Sequence, residues 1–152
     1  MNLLAFSQVP VTDIAHAIQL SLAPVFLLNG IGVLLSMMTS RIARVVDRAR
    51  GLEQRLQHAS GEEARDLVST LATISRRARL INFAITLSTT AALLIAMVVA
   101  LLFASAFAAV SLAGAVSLLF ILSMLSLVLA LLAFLVEIRV ATANLRIGPY
   151  KP

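Results

Sequence analysis

The chain has 152 residues, of which 61% are hydrophobic and only 12% are charged, and its formal net charge is +5. A soluble globular protein carries about 25% charged residues, so this composition excludes an ordinary soluble domain. The absence of cysteine excludes disulfides and thiolate metal sites. A positive charge is also typical of nucleic-acid-binding proteins, but here the basic residues flank apolar stretches, as in a membrane topology signal, and no nucleic acid is expected.

The amino-terminal stretch up to Ala15 has no basic region and no clean cleavage site, so we expect no removable signal peptide. Thr12 is a suitable helix N-cap, and Asp13 follows it in the first turn, where the helix dipole favours an anion. Asp13, His16 and Gln19 then recur at three-residue spacing. This arrangement is either a polar cap or a proton or cation site. We prefer the cap, because an aspartate in a first turn already has a sufficient reason.

The first membrane span is predicted over about residues 17–39. Beginning inside it, apolar and small residues alternate at three- and four-residue spacing, which is the heptad pattern of a helix with one packing seam. Because the second half of this seam lies among arginines, one helix is predicted to leave the membrane and continue into water. The seam consists of Leu28, Ile31, Leu35, Met38, Ile42, Val45, Ala49, Leu52, Leu56 and Ala59.

A second stripe of small and polar residues lies about 100° around the same helix. It consists of Asn29, Gly32, Ser36 and Thr39. On a membrane helix, such residues usually mark a close contact between helices, and they also line water-filled paths. We prefer the helix contact because none of the four side chains is ionisable.

Ser60 and Gly61 interrupt the helical pattern, and a second seam follows them. Two heptad helices joined by a short turn are predicted to form an antiparallel coiled-coil hairpin over residues 40–79. We call these residues the hairpin segment. The second seam consists of Ala64, Leu67, Leu71, Ile74, Ala78, Ile81, Ile85, Ser88, Ala92 and Ile95.

Folding about this turn also predicts ion pairs between the two arms of the hairpin segment. Arg55 is expected opposite Asp66, and Asp47 is expected near Arg76 or Arg77. Exposed pairs of this kind contribute only about 0.2–1 kcal/mol each, so their predicted effect is to select the register of the two helices.

No charged residue lies between Arg79 and Glu137, and this stretch is long enough for two further spans. They are predicted over about residues 80–104 and 112–136, with a short turn between them, and residues 140–152 form a tail. Small residues every four positions predict a close packing face on the second span. These residues are Ala84, Ser88, Ala92, Ala96, Ala100, Ala104 and Ala108.

The distribution of basic residues predicts the orientation in the membrane. Nine arginines lie from Arg41 to Arg79 and three basic residues follow the third span, whereas none precedes the first span. By the positive-inside rule, the amino terminus is outside, and the hairpin segment and carboxyl terminus are cytoplasmic. The arginines flanking the spans are expected to contact anionic lipid headgroups, or alternatively to surround a pore mouth. They are Arg41, Arg44, Arg48, Arg76, Arg77 and Arg79.

The sequence contains no phosphate-binding glycine loop, no metal-spaced cluster of histidines and no nucleophile motif. His16 and His58 fall on opposite sides of the predicted membrane. The paired Glu62 and Glu63 lie at a helix start, where the dipole explains them. We therefore predict no catalytic, cofactor-binding or metal-binding residues, and we expect that the protein is not an enzyme.

Two segments carry a resemblance to a known family. They are residues 17–32, AIQLSLAPVFLLNGIG, and residues 41–48, RIARVVDR. Both are similar to a family of bacterial membrane proteins catalogued as domain of unknown function 2721, and the similarity extends over nearly the whole chain. The resemblance implies a small multi-span membrane protein, and it supplies no activity and no site residues.

These patterns predict an all-α integral membrane protein with three transmembrane helices and a long cytoplasmic antiparallel helical hairpin between the first and second spans. The predicted function is a non-enzymatic scaffold in the bacterial inner membrane, either a homo-oligomer or an accessory subunit, assembled through helix packing and the cytoplasmic hairpin. The alternative is a homo-oligomeric ion channel with a pore lined by the first span. The predicted partners are anionic membrane lipids and further copies of the chain.

Overall fold

The computed structural model describes residues 11–108 and 111–143, and the chain is helical in almost all of them. Each of the three helices is long and apolar enough to cross a membrane. The predicted all-helical class and the number of apolar helices are therefore confirmed. The helices are α1 (Val11–Leu56), α2 (Glu62–Ala108) and α3 (Ala113–Ala143).

Most of the predicted tail lies outside the described residues, and so does the beginning of the stretch that was considered as a signal peptide. The turn predicted between the second and third spans lies between α2 and α3, where Ser111 and Leu112 are outside both helices.

Helix α1 continues past the predicted end of the first span at residue 39, and α2 begins well before the predicted start of the second span at residue 80; the two helices contain 46 and 47 residues. Every residue of both predicted seams is buried or half-buried. The heptad spacing thus identified the buried side of both helices correctly, because the spacing is a local property of the helix.

The turn between α1 and α2 occupies residues 57–61, where the helical pattern was predicted to stop. The amide groups of His58 and Ala59 donate to the carbonyls of Arg55 and Leu56 over 3.1 and 3.3 Å, which closes the end of α1. Gly61 has a φ of 65°, a left-handed conformation that glycine adopts at little cost.

The predicted ion pairs across this turn are wrong in detail. Arg55 lies 3.9 Å from Glu63 rather than opposite Asp66, because the turn brings the first turn of α2 beside the end of α1. Asp47 pairs with Arg50 on its own helix, also at 3.9 Å. All four of these side chains are strongly exposed, so neither pair contributes much stability.

The helices contribute to two compact units. The first unit contains α1 up to Leu35 together with residues 87–128, and the second contains residues 36–86 together with the rest of α3. The core of the first unit is formed by Ile31, Ala91 and Ile95. Partly buried side chains from all three helices pack around this core: Leu27, Leu28, Leu35, Ala92, Met124 and Leu127.

Two buried serines attach α3 to α2 in the first unit. Ser123 donates its hydroxyl proton to the carbonyl of Ala91 over 2.9 Å, and Ser126 donates to the carbonyl of Leu87 over 2.8 Å. Both acceptors are backbone groups of α2. Small side chains allow two helices to come close enough for such bonds.

The predicted ladder of small residues on α2 is buried only in its first part. Ala84 and Ser88 are buried and Ala92 is half-buried, whereas Ala96 and Ala100 are exposed. Successive four-residue steps drift about 40° around a helix, so a long ladder leaves the packing face. Ala104 is exposed as well, and the side chain of Ala108 is not among those described.

Candidate functional site

The second unit contains a fully buried carboxylate, Glu137 near the end of α3. Arg77 of α2 donates from Nη2 to Glu137 Oε1 over 3.0 Å, and Nη2 of Arg41 in α1 lies 3.5 Å from Oε2. We call these three residues the Glu137 cluster. It joins one charged side chain from each of the three helices.

The sequence places these side chains together through the buried sides of the helices. Arg41 and Arg77 each directly precede a seam residue, so their stems lie at the border of the buried surface. The buried side of α3 recurs at three- and four-residue steps and ends at the glutamate. It consists of Ser123, Ser126, Ala130, Phe134 and Glu137.

The charges in the Glu137 cluster do not balance, because two arginines share one carboxylate. Burying an unpaired charge is costly, so each arginine lowers the cost of burying Glu137. The guanidinium of Arg41 also lies 5.2 Å from the ring centroid of Phe134, a cation–π contact of about 0.5–2 kcal/mol. Both arginine side chains retain some exposure, 27% for Arg41 and 22% for Arg77.

Two atoms of the cluster have unused hydrogen-bonding capacity. Arg77 Nε and Glu137 Oε2 are buried and make no hydrogen bond within the described part of the chain. Buried polar groups are nearly always hydrogen-bonded, to protein or to ordered water, so these two atoms are expected to have further partners.

Arg77 also lines a polar crevice of about 370 Å³, which we call the arginine crevice. It contains a second arginine, Arg48, and three hydroxyl side chains, and no acidic residue is among those that line it. The lining residues are Arg48, Ser69, Thr70, Thr73, Ile74, Arg77 and Ala141.

A second surface feature lies between α1 and α2 in the same unit. It is a largely apolar groove of about 610 Å³, which we call the hairpin groove. Val68, one of its lining residues, is 54% exposed. The groove is lined by Val45, Val46, Ala49, Arg50, Glu53, Val68, Leu71, Ala72, Ile74, Ser75 and Ala78.

The amino-terminal polar residues of α1 lie in the first unit. Asp13 and His16 both line a pocket of about 460 Å³, in which Ser105 and Ser117 also take part, whereas Gln19 is not among its lining residues. Among the described residues, no three His, Asp or Glu side chains are grouped as a metal site requires. Asp13 lies in the first turn of α1, where the helix dipole favours an anion, and the polar cap stays the prediction for it.

The predicted small and polar stripe faces away from the other helices of the chain. Asn29, Gly32, Ser36 and Thr39 are all exposed. A Cβ atom built on Gly32 would meet no atom within 4 Å. If this stripe forms a close helix contact, as predicted, that contact is with another molecule.

The six predicted headgroup or mouth arginines divide into two groups. Arg41 and Arg77 are half-buried in the Glu137 cluster, so the structure gives them a protein partner that the prediction lacked. The other four are exposed: Arg44, Arg48, Arg76 and Arg79.

Sequence reasoning treated Glu137 only as the end of the third span and missed its two partners. A signal was present, because Glu137 is the only acidic residue after Asp66, whereas arginines are numerous on both preceding helices. A lone acid at the end of a long apolar helix needs a positive partner when it is buried.

One family model matches residues 21–147 of the chain, which is most of its length. Comparison with curated proteins and comparison with solved structures each return no significant match. The matched residues include the whole turn between α1 and α2 and the entire Glu137 cluster. The chain therefore belongs to the family described as "Protein of unknown function (DUF2721)".

Proposed function

We propose that the protein is a non-enzymatic scaffold of the bacterial inner membrane, which assembles with copies of itself through packing of its membrane helices and through the hairpin segment. Insertion in a membrane is supported by the many large apolar side chains that are exposed on all three helices. On α3 these include Leu118, Ile121, Leu122, Leu125, Leu129, Leu132 and Leu135. Lipid chains would cover such a surface.

The observation that carries the proposed assembly is the hairpin groove. It lies in the part of the chain that bears nine arginines, so its apolar surface is outside the stretches that lipid chains would cover. Apolar surface exposed to water costs about 25 cal/mol per Å². A further helix packed into the groove would remove this cost.

A second copy of the chain is the occupant that we propose for the groove. A symmetric dimer uses the same surface twice, so that surface must be complementary to itself. Arg50 and Glu53 both line the groove and supply one charge of each sign. Two copies with the same orientation in a membrane would be related by a two-fold axis along the membrane normal. When their grooves face each other, this symmetry places α1 of one copy beside α2 of the other.

The replacement Val68→Asp tests this assembly. Val68 is exposed in the single chain, so a charge there is tolerated by the folded subunit but not inside an apolar interface. We expect a lower subunit number in detergent, measured by native mass spectrometry. Gln54→Asp is the control, because it adds the same charge at an exposed position that does not line the groove. A monomeric wild type, or an unchanged subunit number in the Val68 variant, would contradict the proposal.

The exposed stripe of Asn29, Gly32, Ser36 and Thr39 favours an ion channel as the second candidate function. In the scaffold, Gly32→Leu is expected to weaken the oligomer although the larger side chain fits in the single chain. Ser36→Cys should then resist a water-soluble thiol reagent. In a channel, the cysteine at this position would react, and the reaction would block ion flux in liposomes. If ion flux stops when the cysteine at position 36 is modified, the result would contradict the scaffold and support the channel.

The proposed orientation, with the amino terminus outside and the carboxyl terminus cytoplasmic, rests on the arginine distribution. Ser60 and Ser111 are both exposed and lie in the two connections between helices, and the chain has no cysteine of its own. We expect an impermeant thiol reagent added to intact cells to label Ser111→Cys and not Ser60→Cys. The opposite labelling pattern would reverse the orientation.

A further inference from the structure

We propose that the arginine crevice binds the headgroup of an anionic phospholipid, with the phosphate on Arg48 and Arg77 and a headgroup hydroxyl on Thr73. The inference deepens the proposed function, since it rests on insertion in a membrane, but it is independent of assembly into an oligomer. Arginine binds phosphate through several N–H donors in a fixed plane, which suits this ligand.

The crevice has unused positive charge and unused donors. Among the described residues, Arg48 makes no hydrogen bond or ion pair, and Arg77 has a buried Nε that donates to no acceptor. Glu137, the carboxylate that Arg77 contacts, is shared with Arg41, so these two arginines together carry one positive charge more than Glu137 compensates. An anion in the crevice would compensate this excess.

The hydroxyl groups indicate which part of the ligand they contact. Ser69 and Thr70 donate to the carbonyl of Asp66 over 2.9 Å, and Thr73 donates to the carbonyl of Ser69 over 3.2 Å. Because these protons are used within α2, the oxygens present lone pairs that accept hydrogen bonds. A phosphate diester oxygen cannot donate to them, but the hydroxyls of a glycerol headgroup can.

The position of Arg77 along α2 suits the phosphate of a headgroup. Arg77 lies three residues before the predicted start of the second span, about 5 Å along the helix axis, which is within the headgroup layer of about 5–8 Å on one side of a bilayer. Thr73 lies about 6 Å further out, where the far end of a headgroup whose phosphate is on Arg77 would reach it. The volume of about 370 Å³ greatly exceeds the roughly 30 Å³ of one water, so a phosphate group with part of its headgroup fits.

The test titrates short-chain phosphatidylglycerol into the full chain in detergent and measures binding by native mass spectrometry and by the increase in Tm. Arg48→Gln is expected to weaken binding at least about tenfold, because a charge-assisted contact is lost. Arg44→Gln removes the same charge from an exposed position outside the crevice and should change binding less than about twofold. Equal weakening by both variants would overturn the site in favour of diffuse attraction.

Two further measurements identify the ligand. Thr73→Val should weaken binding of phosphatidylglycerol and leave binding of phosphatidylmethanol unchanged, because the latter is a phosphate diester of the same charge without a headgroup hydroxyl. Equal weakening of both lipids, or of neither, would overturn the assignment of the hydroxyls. Inorganic phosphate is the competing source, and if it binds as tightly as the lipid with the same dependence on Arg48, the lipid assignment is overturned.

The same mass spectra separate this inference from the proposed assembly. Val68→Asp should lower the subunit number and leave the Arg48-dependent lipid binding intact. An intact oligomer without Arg48-dependent binding would overturn the headgroup site alone, whereas a monomer that retains this binding would overturn the scaffold alone.

Discussion

Replacing Glu137 by alanine is expected to destabilise the folded protein by about 3–5 kcal/mol, because Arg41 and Arg77 then lose the carboxylate that compensates their charges. The measurement is thermal unfolding in detergent, followed by the loss of helical signal. Glu53→Ala is the control, since Glu53 is an exposed acidic residue of α1 outside the cluster, and we expect a change within about 0.5 kcal/mol.

A triple replacement tests whether pairing explains that loss. Removing all three charges, with Arg41→Met, Arg77→Met and Glu137→Leu, should restore most of the stability, because no charge is then buried without a partner. If Glu137→Ala unfolds at the same temperature as the wild type, the cluster does not hold the helices together. If the triple variant is as unstable as Glu137→Ala, lost packing rather than lost pairing is the cause.

The second large effect is expected from Leu52→Asp. Leu52 is a half-buried seam residue of α1, and truncating a fully buried leucine to alanine costs about 2–5 kcal/mol, so Leu52 contributes a part of this amount to stability. The aspartate adds a charge that must be removed from water. We expect the variant to be degraded in cells or to purify with reduced helical content.

Gln54→Asp is the matched control for this variant, because it introduces the same side chain two residues along the same helix at an exposed position. It should accumulate and unfold like the wild type. Equal tolerance of both replacements, measured as yield and Tm, would show that the seam does not contribute to packing.

The seams were predictable from the sequence because the side of a helix that is buried depends on the spacing of residues along one helix. The Glu137 cluster was not predictable in the same way. Whether Glu137 meets Arg41 and Arg77 depends on how α3 packs on two helices that are distant in the sequence. Periodicity within one helix carries no information about that contact.

The register of α1 against α2 across the turn was also not predictable from the local pattern, although the two helices are adjacent in the sequence. Ser60 and Gly61 predicted that the helical pattern stops, and both residues lie in the turn between α1 and α2. The ion pair of Arg55 depends on how many residues lie in the turn between the helices, and a shift of three positions selects Glu63 instead of Asp66. Helix ends are the least certain feature of a sequence-based assignment.

The two serine bonds of α3 have a consequence for the tolerance of each helix to substitution. Ser123 and Ser126 supply hydroxyl protons that only a few residue types can provide, whereas α2 supplies backbone carbonyls that every residue possesses. Position 91 of α2 therefore needs only a side chain small enough to let α3 approach, whatever its chemistry. The two helices of this interface are thus under unequal mutational constraint: α3 is restricted in hydrogen-bonding type, and α2 is restricted in volume.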